Sequence, residues 1–262
     1  AFDRWMPKAD FKNFYAVKAA PNPEILDLLW REGMGADCSS LPELAIADAV
    51  GLNVKDIMFP SNNTQAHEFK RARKMGAIIN LDDITHIDFL ERHAGIPELV
   101  CLRYNPGERR VGNSIIGEPV EAKYGFTHEQ IFEGIHTLKN KGVKRIGLHT
   151  MVASNERNPK YFVETADMMF SLAGVVRSTL DVSVEFINLG GGLGTPYRPE
   201  QKAISPDEVA RPIAGLYNTL NEGGLSPKVF MENGRFVTGP HGYLVTTVLH
   251  VMRKYKDYVG AD

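Results

Sequence analysis

Residues 14–20 read Phe-Tyr-Ala-Val-Lys-Ala-Ala, and Pro21 follows at once. This apolar, β-prone run predicts a strand that holds Lys18 at its carboxyl end, partly withdrawn from water. Desolvation favours the neutral form of an amine, and a neutral amine can form a Schiff base with a carbonyl compound. A lysine at a strand end with its ammonium in solvent is the simpler interpretation, because most lysines are surface residues.

Outward from this stretch, strand-like and helical patterns alternate along the chain. The predicted strands are 13–19, 35–39, 56–60, 77–81, 98–104, 144–151, 184–189 and 228–232. The predicted helices are 22–32, 41–50, 64–75, 84–93, 127–141, 158–176 and 206–222, with Ser40, Thr64, Thr127 and Ser205 as candidate N-caps. This alternation is typical of an α/β fold closed into a (β/α)8 barrel. An open doubly wound sheet is the alternative, but the glycine-rich turn expected after its first strand is missing.

Composition narrows the class of protein. The 262 residues are 43% hydrophobic and carry a net charge of −2, which gives no electrostatic case for nucleic-acid or membrane binding. No apolar run is long enough to predict a membrane span, and the sequence predicts no metal site. Cys38 and Cys101 are the only cysteines and lie in apolar runs, so two buried free thiols in a reducing cytoplasm are expected.

Polar residues gather at the carboxyl ends of the predicted strands, which is where chemistry collects in a (β/α)8 barrel. The triple glycine 190–192 follows strand seven, and adjacent glycines let backbone N–H groups converge on an anion. Gly234 and Arg235 after strand eight would complete a phosphate site, although a flexible turn is the alternative. Glu232 ends an apolar strand, so its carboxylate needs a partner, either an arginine such as Arg235 or a protonated ring nitrogen.

A nucleophilic lysine, a phosphate cradle and a buried carboxylate on one rim suit pyridoxal 5′-phosphate (PLP), which acts as an electron sink. With these residues the chain resembles the fold-type III PLP-dependent decarboxylases, the diaminopimelate and ornithine decarboxylase family, which share an alanine racemase-like TIM barrel. The motifs that carry the resemblance are Tyr15–Ala19, Asp37 with Glu43, Lys123–Gly125, Leu189–Gly192 and Glu232–Arg235. They follow the family's order and cover nearly the whole chain.

The resemblance implies a role for each matched residue. Lys18 would be the lysine bonded to PLP, Glu232 the partner of its pyridine nitrogen, and His149 a further catalytic residue. Arg103 would lie near the ring and its 3′-oxygen, and Asp37 near Lys18. The residues implied to bind the cofactor are Lys18, Asp37, Arg103, His149, Met151, Ser154, Gly190, Gly191, Gly192, Glu232, Gly234 and Arg235.

Strand six departs from the family's pattern. The family usually reads His-x-x-Ser there, with the histidine stacked on the cofactor, whereas Met151 stands three residues before Ser154. Either Met151 covers the ring, or His149 reaches in from two residues earlier. A third interpretation is that His149 only forms hydrogen bonds in the barrel mouth.

The carboxyl-terminal part also departs from the family. The family carries a C-terminal β domain, whose cysteine comes from the partner subunit of a homodimer and whose tyrosine contacts the cofactor. Residues 1–235 resemble the barrel and residues 236–262 only the start of that domain, and neither Cys38 nor Cys101 matches the family's cysteine. We therefore expect a chain cut at both ends, from a protein that is a homodimer at full length.

The expected activity is cytoplasmic, PLP-dependent decarboxylation of a small D-configured diamino acid. Candidate substrates are meso-diaminopimelate, giving lysine, and D-ornithine or D-lysine, giving putrescine or cadaverine. Residues 80–87 and 153–155 resemble the D-ornithine and D-lysine branch. The alternatives are a non-catalytic PLP-binding barrel of vitamin B6 homeostasis and an amino-acid racemase of the same fold.

Overall fold

Eight parallel strands close into a barrel in the order in which they occur in the chain. The computed structural model describes residues 1–113 and 115–262. The first and last strands close the barrel, because Lys12 pairs with Phe230 and Asn13 with Met231. The predicted (β/α)8 barrel is therefore confirmed, and the alternative prediction of an open doubly wound sheet is wrong.

A helix follows each barrel strand before the next strand begins. The barrel strands are Lys12–Ala16 (β1), Gly35–Asp37 (β2), Ile57–Phe59 (β3), Ile78–Leu81 (β4), Leu99–Tyr104 (β5), Arg145–Thr150 (β6), Val184–Asn188 (β7) and Lys228–Met231 (β8). The helices are Phe2–Trp5 (α1), Pro23–Arg31 (α2), Leu41–Val50 (α3), Ala66–Met75 (α4), Thr85–Ala94 (α5), His128–Asn140 (α6), Pro159–Leu180 (α7), Pro206–Glu222 (α8) and Arg235–Thr238 (α9). A two-stranded antiparallel ribbon, Val248–Arg253 (β9) and Asp257–Ala261 (β10), ends the chain.

The helix starts show where sequence signals were sufficient. Thr127 and Ser205 cap α6 and α8 as predicted, and each side chain accepts a hydrogen bond from a backbone N–H of the first turn. The prediction that Thr64 caps α4 is wrong, because Gln65 is the N-cap of that helix. The Thr64 hydroxyl instead donates to the carbonyl of Ser61 at 3.1 Å, within the preceding loop.

The first strand ends earlier than predicted, and this changes the surroundings of Lys18. Ala16 pairs with Asp37, the last residue of β2, so no ladder partner remains beyond it. The chain then turns through a 3-10 helix, Val17–Ala19, before α2 begins. Lys18 therefore stands on a helical turn at the barrel mouth and not on the strand itself.

The barrel interior is filled at mid-height by an apolar cluster. Its members are Phe14, Met58, Cys101, Phe186 and Phe230. The rings of Phe186 and Phe230 stack with their centroids 4.8 Å apart. Burying side chains of this size stabilises the fold by about 1.5–3 kcal/mol each. A larger apolar cluster lies between the strands and the surrounding helices, and both cysteines are buried and unpaired, as predicted.

The terminal ribbon differs from the barrel in its surroundings. Tyr243, Leu244 and Val245 before β9 are almost fully exposed, and β9 carries further exposed apolar side chains such as Leu249. By contrast, Thr238 still contacts the barrel, because its hydroxyl lies 3.2 Å from the Tyr15 hydroxyl. Within the described ranges, no helix has both the length and the apolar character needed to cross a membrane.

Two glycine substitutions should separate close packing from helix propensity. A Cβ at Gly147 would lie 2.2 Å from the Phe186 ring, whereas one at Gly174 in α7 would meet no heavy atom within 4 Å. We expect Gly147→Ala to lower the free energy of unfolding by about 1–3 kcal/mol through overpacking. Gly174→Ala should raise it by about 0.5–1 kcal/mol through helix propensity. Urea unfolding of the two variants beside the parent chain measures both, and equal midpoints for the two would contradict this packing.

Candidate active site

The carboxyl ends of the strands surround a cavity of about 480 Å³. The predicted site residues that line it are Lys18, Met151, Ser154, Gly192, Glu232, Gly234 and Arg235. Residues from the first, sixth, seventh and eighth strand ends thus meet at one place, as parallel closure requires. The other predicted residues, Asp37, Arg103, His149, Gly190 and Gly191, are not part of its wall.

Lys18 is exposed at this cavity, which corrects the expectation that it is partly withdrawn from water. The cause is the early end of β1, which places the lysine on the open side of the 3-10 turn. Among the described residues, its ammonium forms no ion pair. An accessible, unpaired amine at the rim of a cavity is free to react with a bound carbonyl compound.

The triple glycine packs against two neighbouring loops so closely that no side chain would fit. Gly190 and Gly192 have positive φ angles of 72° and 98°, which favour glycine. A Cβ at Gly191 would lie 2.0 Å from the carbonyl oxygen of Glu232, and one at Gly192 would lie 2.5 Å from that of Ala153. Gly234 is equally confined, because its Cβ would lie 2.7 Å from Ala19 Cβ. Glycine is therefore required in this motif, because the backbone lies too close to the loops of Glu232 and Ala153 for a side chain.

Glu232 directly follows β8 and is buried. Its Oε2 lies 3.1 Å from His149 Nε2, and its Oε1 accepts a hydrogen bond from Asn188 Nδ2 at 2.8 Å. Burial raises the pKa of the Glu232 carboxyl, but His149, Arg103 and Asn188 together outweigh it, and the net shift is downward. The alternative of a salt bridge to Arg235 is wrong, since that guanidinium lies over the Tyr197 ring, 5.9 Å from its centroid.

Arg103 determines which nitrogen of His149 carries the proton. Arg103 Nε donates to His149 Nδ1 at 3.2 Å, and a guanidinium has no acceptor. His149 Nδ1 must therefore accept, so Nε2 bears the hydrogen and donates to Glu232. The remaining guanidinium nitrogens of Arg103 donate to Pro60 O at 2.7 Å and lie 2.9 Å from Asp82 Oδ1. All three guanidinium nitrogens of Arg103 thus have a contact inside the barrel.

The structure separates the two candidates for the cofactor face. His149 is fully buried in the hydrogen-bond network below the cavity, whereas Met151 lies in the cavity wall. The Met151 sulfur lies 3.4 Å from Gly191 N, which holds the thioether beside the glycine loop. This geometry favours two of the interpretations given for strand six: Met151 covers the cofactor ring, and His149 only forms hydrogen bonds in the barrel mouth.

Asp37, at the end of β2, is buried with one carboxylate oxygen, Oδ1, lacking a hydrogen-bond partner among the described residues. Burial raises the pKa of Asp37 well above its usual range, and the charge of Glu232 adds to the shift, while Lys18 opposes it. Nearby Glu43 accepts hydrogen bonds from Ser39 N at 3.0 Å and Ser40 Oγ at 2.7 Å. This pair of bonds secures the start of α3, next to the predicted site.

Some site residues were missed or not given a role by sequence reasoning. Asn188 precedes the triple glycine and is fully buried beside Glu232. Asn233 accepts from Leu193 N at 3.1 Å and so connects the two loops that flank the cavity. The sequence signal for both residues is a polar side chain at the end of an apolar strand. Their hydrogen-bond partners could not be predicted, because they lie 44 and 40 residues away in sequence.

Fold and site together define a (β/α)8 barrel with a lysine after strand one, a glycine loop after strand seven and a buried carboxylate after strand eight. Residues 1–239 match the family model described as pyridoxal-dependent decarboxylase, pyridoxal binding domain. The chain belongs to this family, and pyridoxal is the family's cofactor.

Individual relatives agree with this assignment. Over 96% of its length the chain is 34% identical to Protein TabA of Pseudomonas amygdali pv. tabaci, and 31% identical to a diaminopimelate decarboxylase of Methanothermobacter thermautotrophicus. It spans only 59% and 60% of those two proteins. A crystal structure of diaminopimelate decarboxylase from M. jannaschii in complex with L-lysine superposes on the whole chain with a TM-score of 0.89 and 25% identity, and 63% of that protein is covered.

The protonation of Asp37 should be visible in the stability of the cofactor-free chain. Because the pKa of Asp37 is higher in the folded state than in the unfolded state, the folded chain binds more protons between the two values. This carboxyl therefore makes stability fall as pH rises above its unfolded pKa. We expect Asp37→Asn to raise Tm by about 2–4 °C at neutral pH, and the gain to vanish in acid. Thermal unfolding of both chains across pH measures this, and a gain that grows in acid would contradict it.

Proposed function

We propose that this chain is the cofactor-binding barrel of an amino-acid decarboxylase whose substrate is a D-configured diamino acid. The observation that carries the proposal is the meeting of Lys18, the glycine loop and Glu232 at one cavity. The match to the pyridoxal-dependent decarboxylases and the 31% identity to a diaminopimelate decarboxylase support it. The candidate substrates remain meso-diaminopimelate, D-ornithine and D-lysine.

The cavity fits PLP in size and in chemistry. A volume of about 480 Å³ lies within the range of ordinary small-molecule sites. The N–H groups of Gly192 and Gly234 donate to no acceptor in the described part of the chain, so they remain free for a phosphate. Arg235 adds a positive charge that forms no ion pair with any described residue.

The chain's own residues divide the work of such a site. Lys18 Nζ would bind the aldehyde, while Gly192, Gly234, Ser154 and Arg235 would hold the phosphate. Glu232, ionised by its neighbours, would keep a proton at the ring nitrogen. When bound, PLP supplies a conjugated ring that accepts the electron pair released as carbon dioxide leaves.

The interior residues support these groups from below. Arg103 keeps His149 in the tautomer that donates to Glu232, and Met151 excludes water from one face of the ring. Asp37, in its protonated form, adds no negative charge beside Glu232. In these roles His149 and Arg103 would support the cofactor's partner Glu232 from the barrel interior.

The carboxyl-terminal segment is proposed to belong to a second domain. We place the boundary at residue 235, so that residues 236–262 begin a C-terminal β domain that completes the site in a cytoplasmic homodimer. The exposed apolar residues before and on β9 support this proposal, because such surfaces are usually covered. The chain covers only 59% and 60% of the length of the two relatives, which is consistent with this proposal.

Borohydride reduction tests the role of Lys18. We expect reduction in the presence of PLP to attach the cofactor covalently to Lys18, because its amine is unpaired and exposed at the cavity. Lys18→Arg keeps the charge but removes the amine, so peptide mass spectrometry should find no adduct. Lys12→Arg at the opposite end of β1 is the matched control and should retain full labelling. An adduct that persists on another residue in Lys18→Arg would show that the assignment is wrong.

A substrate panel tests the reaction. With PLP, we expect the full-length protein to release carbon dioxide from at least one of meso-diaminopimelate, D-ornithine and D-lysine, and residues 1–262 alone to bind PLP but release it poorly or not at all. Glu232→Gln should retain PLP but slow release at least a hundredfold, since losing the anion lowers the pKa of the ring nitrogen by about two units or more.

Glu185→Gln, at the far end of β7, is the matched carboxylate control and should leave the rate unchanged. Racemisation without carbon dioxide release would favour the racemase. PLP binding by the full-length protein with neither reaction would favour the non-catalytic barrel.

A further inference from the structure

Asn188, the last residue of β7, joins two parts of the candidate site. Its Nδ2 donates to Glu232 Oε1 at 2.8 Å, and its Oδ1 accepts from Gly190 N at 2.9 Å. Glu232 N in turn donates to Gly190 O at 2.8 Å. One fully buried amide therefore connects the carboxylate to the first glycine of the loop.

The orientation of this amide follows from its partners. A backbone N–H can only donate, so the atom facing Gly190 N must be the oxygen of Asn188 and the NH2 must face Glu232. His149 donates from Nε2 to the other carboxylate oxygen, at 3.1 Å. Each oxygen of Glu232 thus accepts a hydrogen bond, one from Asn188 and one from His149. Hydrogen bonds to the ionised form favour that form.

We propose that Asn188 is a positioning residue that keeps Glu232 ionised and aligned with the glycine loop. The inference deepens the proposed function and rests on it, because that function gives Glu232 its task at the ring nitrogen. An amide suits the position because it donates to a carboxylate without ever carrying a charge. An aspartate there would place a second carboxylate at the same short distance, and two carboxylates so close share one proton.

Two variants separate this role from a structural one. Asn188→Asp has nearly the same shape and keeps an oxygen to accept from Gly190 N, so packing and the glycine loop retain their contacts. The contacts of the NH2 group change: two acceptors now face each other at Glu232, and the hydrogen bond from Nδ2 to Met58 Sδ at 3.2 Å is lost. Because the new carboxylate by itself also raises the proton affinity of Glu232, Asn188→Leu is the second variant: it removes the donor without adding a charge. A merely structural Asn188 would leave the midpoint of Glu232 unchanged in Asn188→Leu.

The protonation of Glu232 can be followed without cofactor or substrate. We would label glutamate carboxyl carbons with ¹³C, titrate the cofactor-free chain by NMR, and assign Glu232 by the signal lost in Glu232→Gln. In the parent chain we expect that signal to stay ionised from neutral into mildly acidic pH. In Asn188→Asp we expect its midpoint to rise by more than about one unit, a tenfold gain in proton affinity. An unchanged midpoint would overturn the proposal.

Asn80 offers a matched control. It pairs across the sheet with Cys101 of the interior cluster, so it also faces the barrel interior, and neither of its amide atoms has a hydrogen-bond partner among the described residues. Asn80→Asp introduces a buried acid without a hydrogen bond to Glu232. We expect the Glu232 signal to titrate as in the parent chain. An equal shift in both variants would show a general effect of buried charge and overturn the proposal.

An exchange variant completes the test. Asn188→Asp combined with Glu232→Gln restores one donor and one carboxylate, with their positions swapped. If the pair of carboxylates causes the raised midpoint, ¹³C-labelled aspartate in this variant should show no such titration at position 188. A titration that persists would trace the shift to burial alone and overturn the proposal.

Cofactor affinity then distinguishes this inference from the proposed function. We expect Asn188→Asp to bind PLP about tenfold more weakly than the parent chain in equilibrium dialysis. If the parent chain binds no PLP, the proposed function fails, while the NMR titration still decides the role of Asn188.

Discussion

The ladder between the first and last strands is the interaction on which the site depends. Pairing of Lys12 with Phe230 and of Asn13 with Met231 joins two segments about 220 residues apart and brings the turn that carries Lys18 beside Glu232 and Gly234. Local contacts reinforce the closure, because Asn13 Oδ1 accepts from Asn233 N at 3.0 Å. Without this closure, the lysine and the carboxylate would lie on the two edges of an open sheet.

Above the apolar interior cluster, the barrel carries a buried layer of polar side chains. A buried charge is costly unless it is paired and hydrogen-bonded, and one connected network pairs the Arg103 guanidinium and the Glu232 carboxylate. Asp82, Arg103, His149, Glu232 and Asn188 follow one another by contacts of 2.8–3.2 Å. The imidazole of His149 bridges the Arg103 guanidinium and the Glu232 carboxylate, so neither charge is isolated. The same network fixes the proton on His149 and keeps the carboxylate ionised.

The sequence predicted what local patterns encode and missed what depends on distant partners. Strand order, barrel closure and the places of the glycine loop and Glu232 followed from apolar runs and the residues at their ends. The exposure of Lys18 did not, because the end of β1 depends on the short partner strand β2. The partners of Glu232 were also missed, since Asn188 and His149 lie 44 and 83 residues away in sequence. Which of His149 and Met151 lines the cavity depended on the register of β6.

The distribution of cations sets how the cavity can bind anions. Arg103 was implied to lie near the ring, but its guanidinium contacts Pro60, Asp82 and His149 and is not part of the cavity wall. Among the described residues that line the cavity, the cations are Lys18 and Arg235. If Lys18 is committed to the cofactor, anion binding falls to Arg235 and the free N–H groups of Gly192 and Gly234. The guanidinium of Arg235 lies over the Tyr197 ring, which leaves its N–H groups available for an oxyanion. The site therefore combines a fixed interior charge network with one adaptable cation at its mouth.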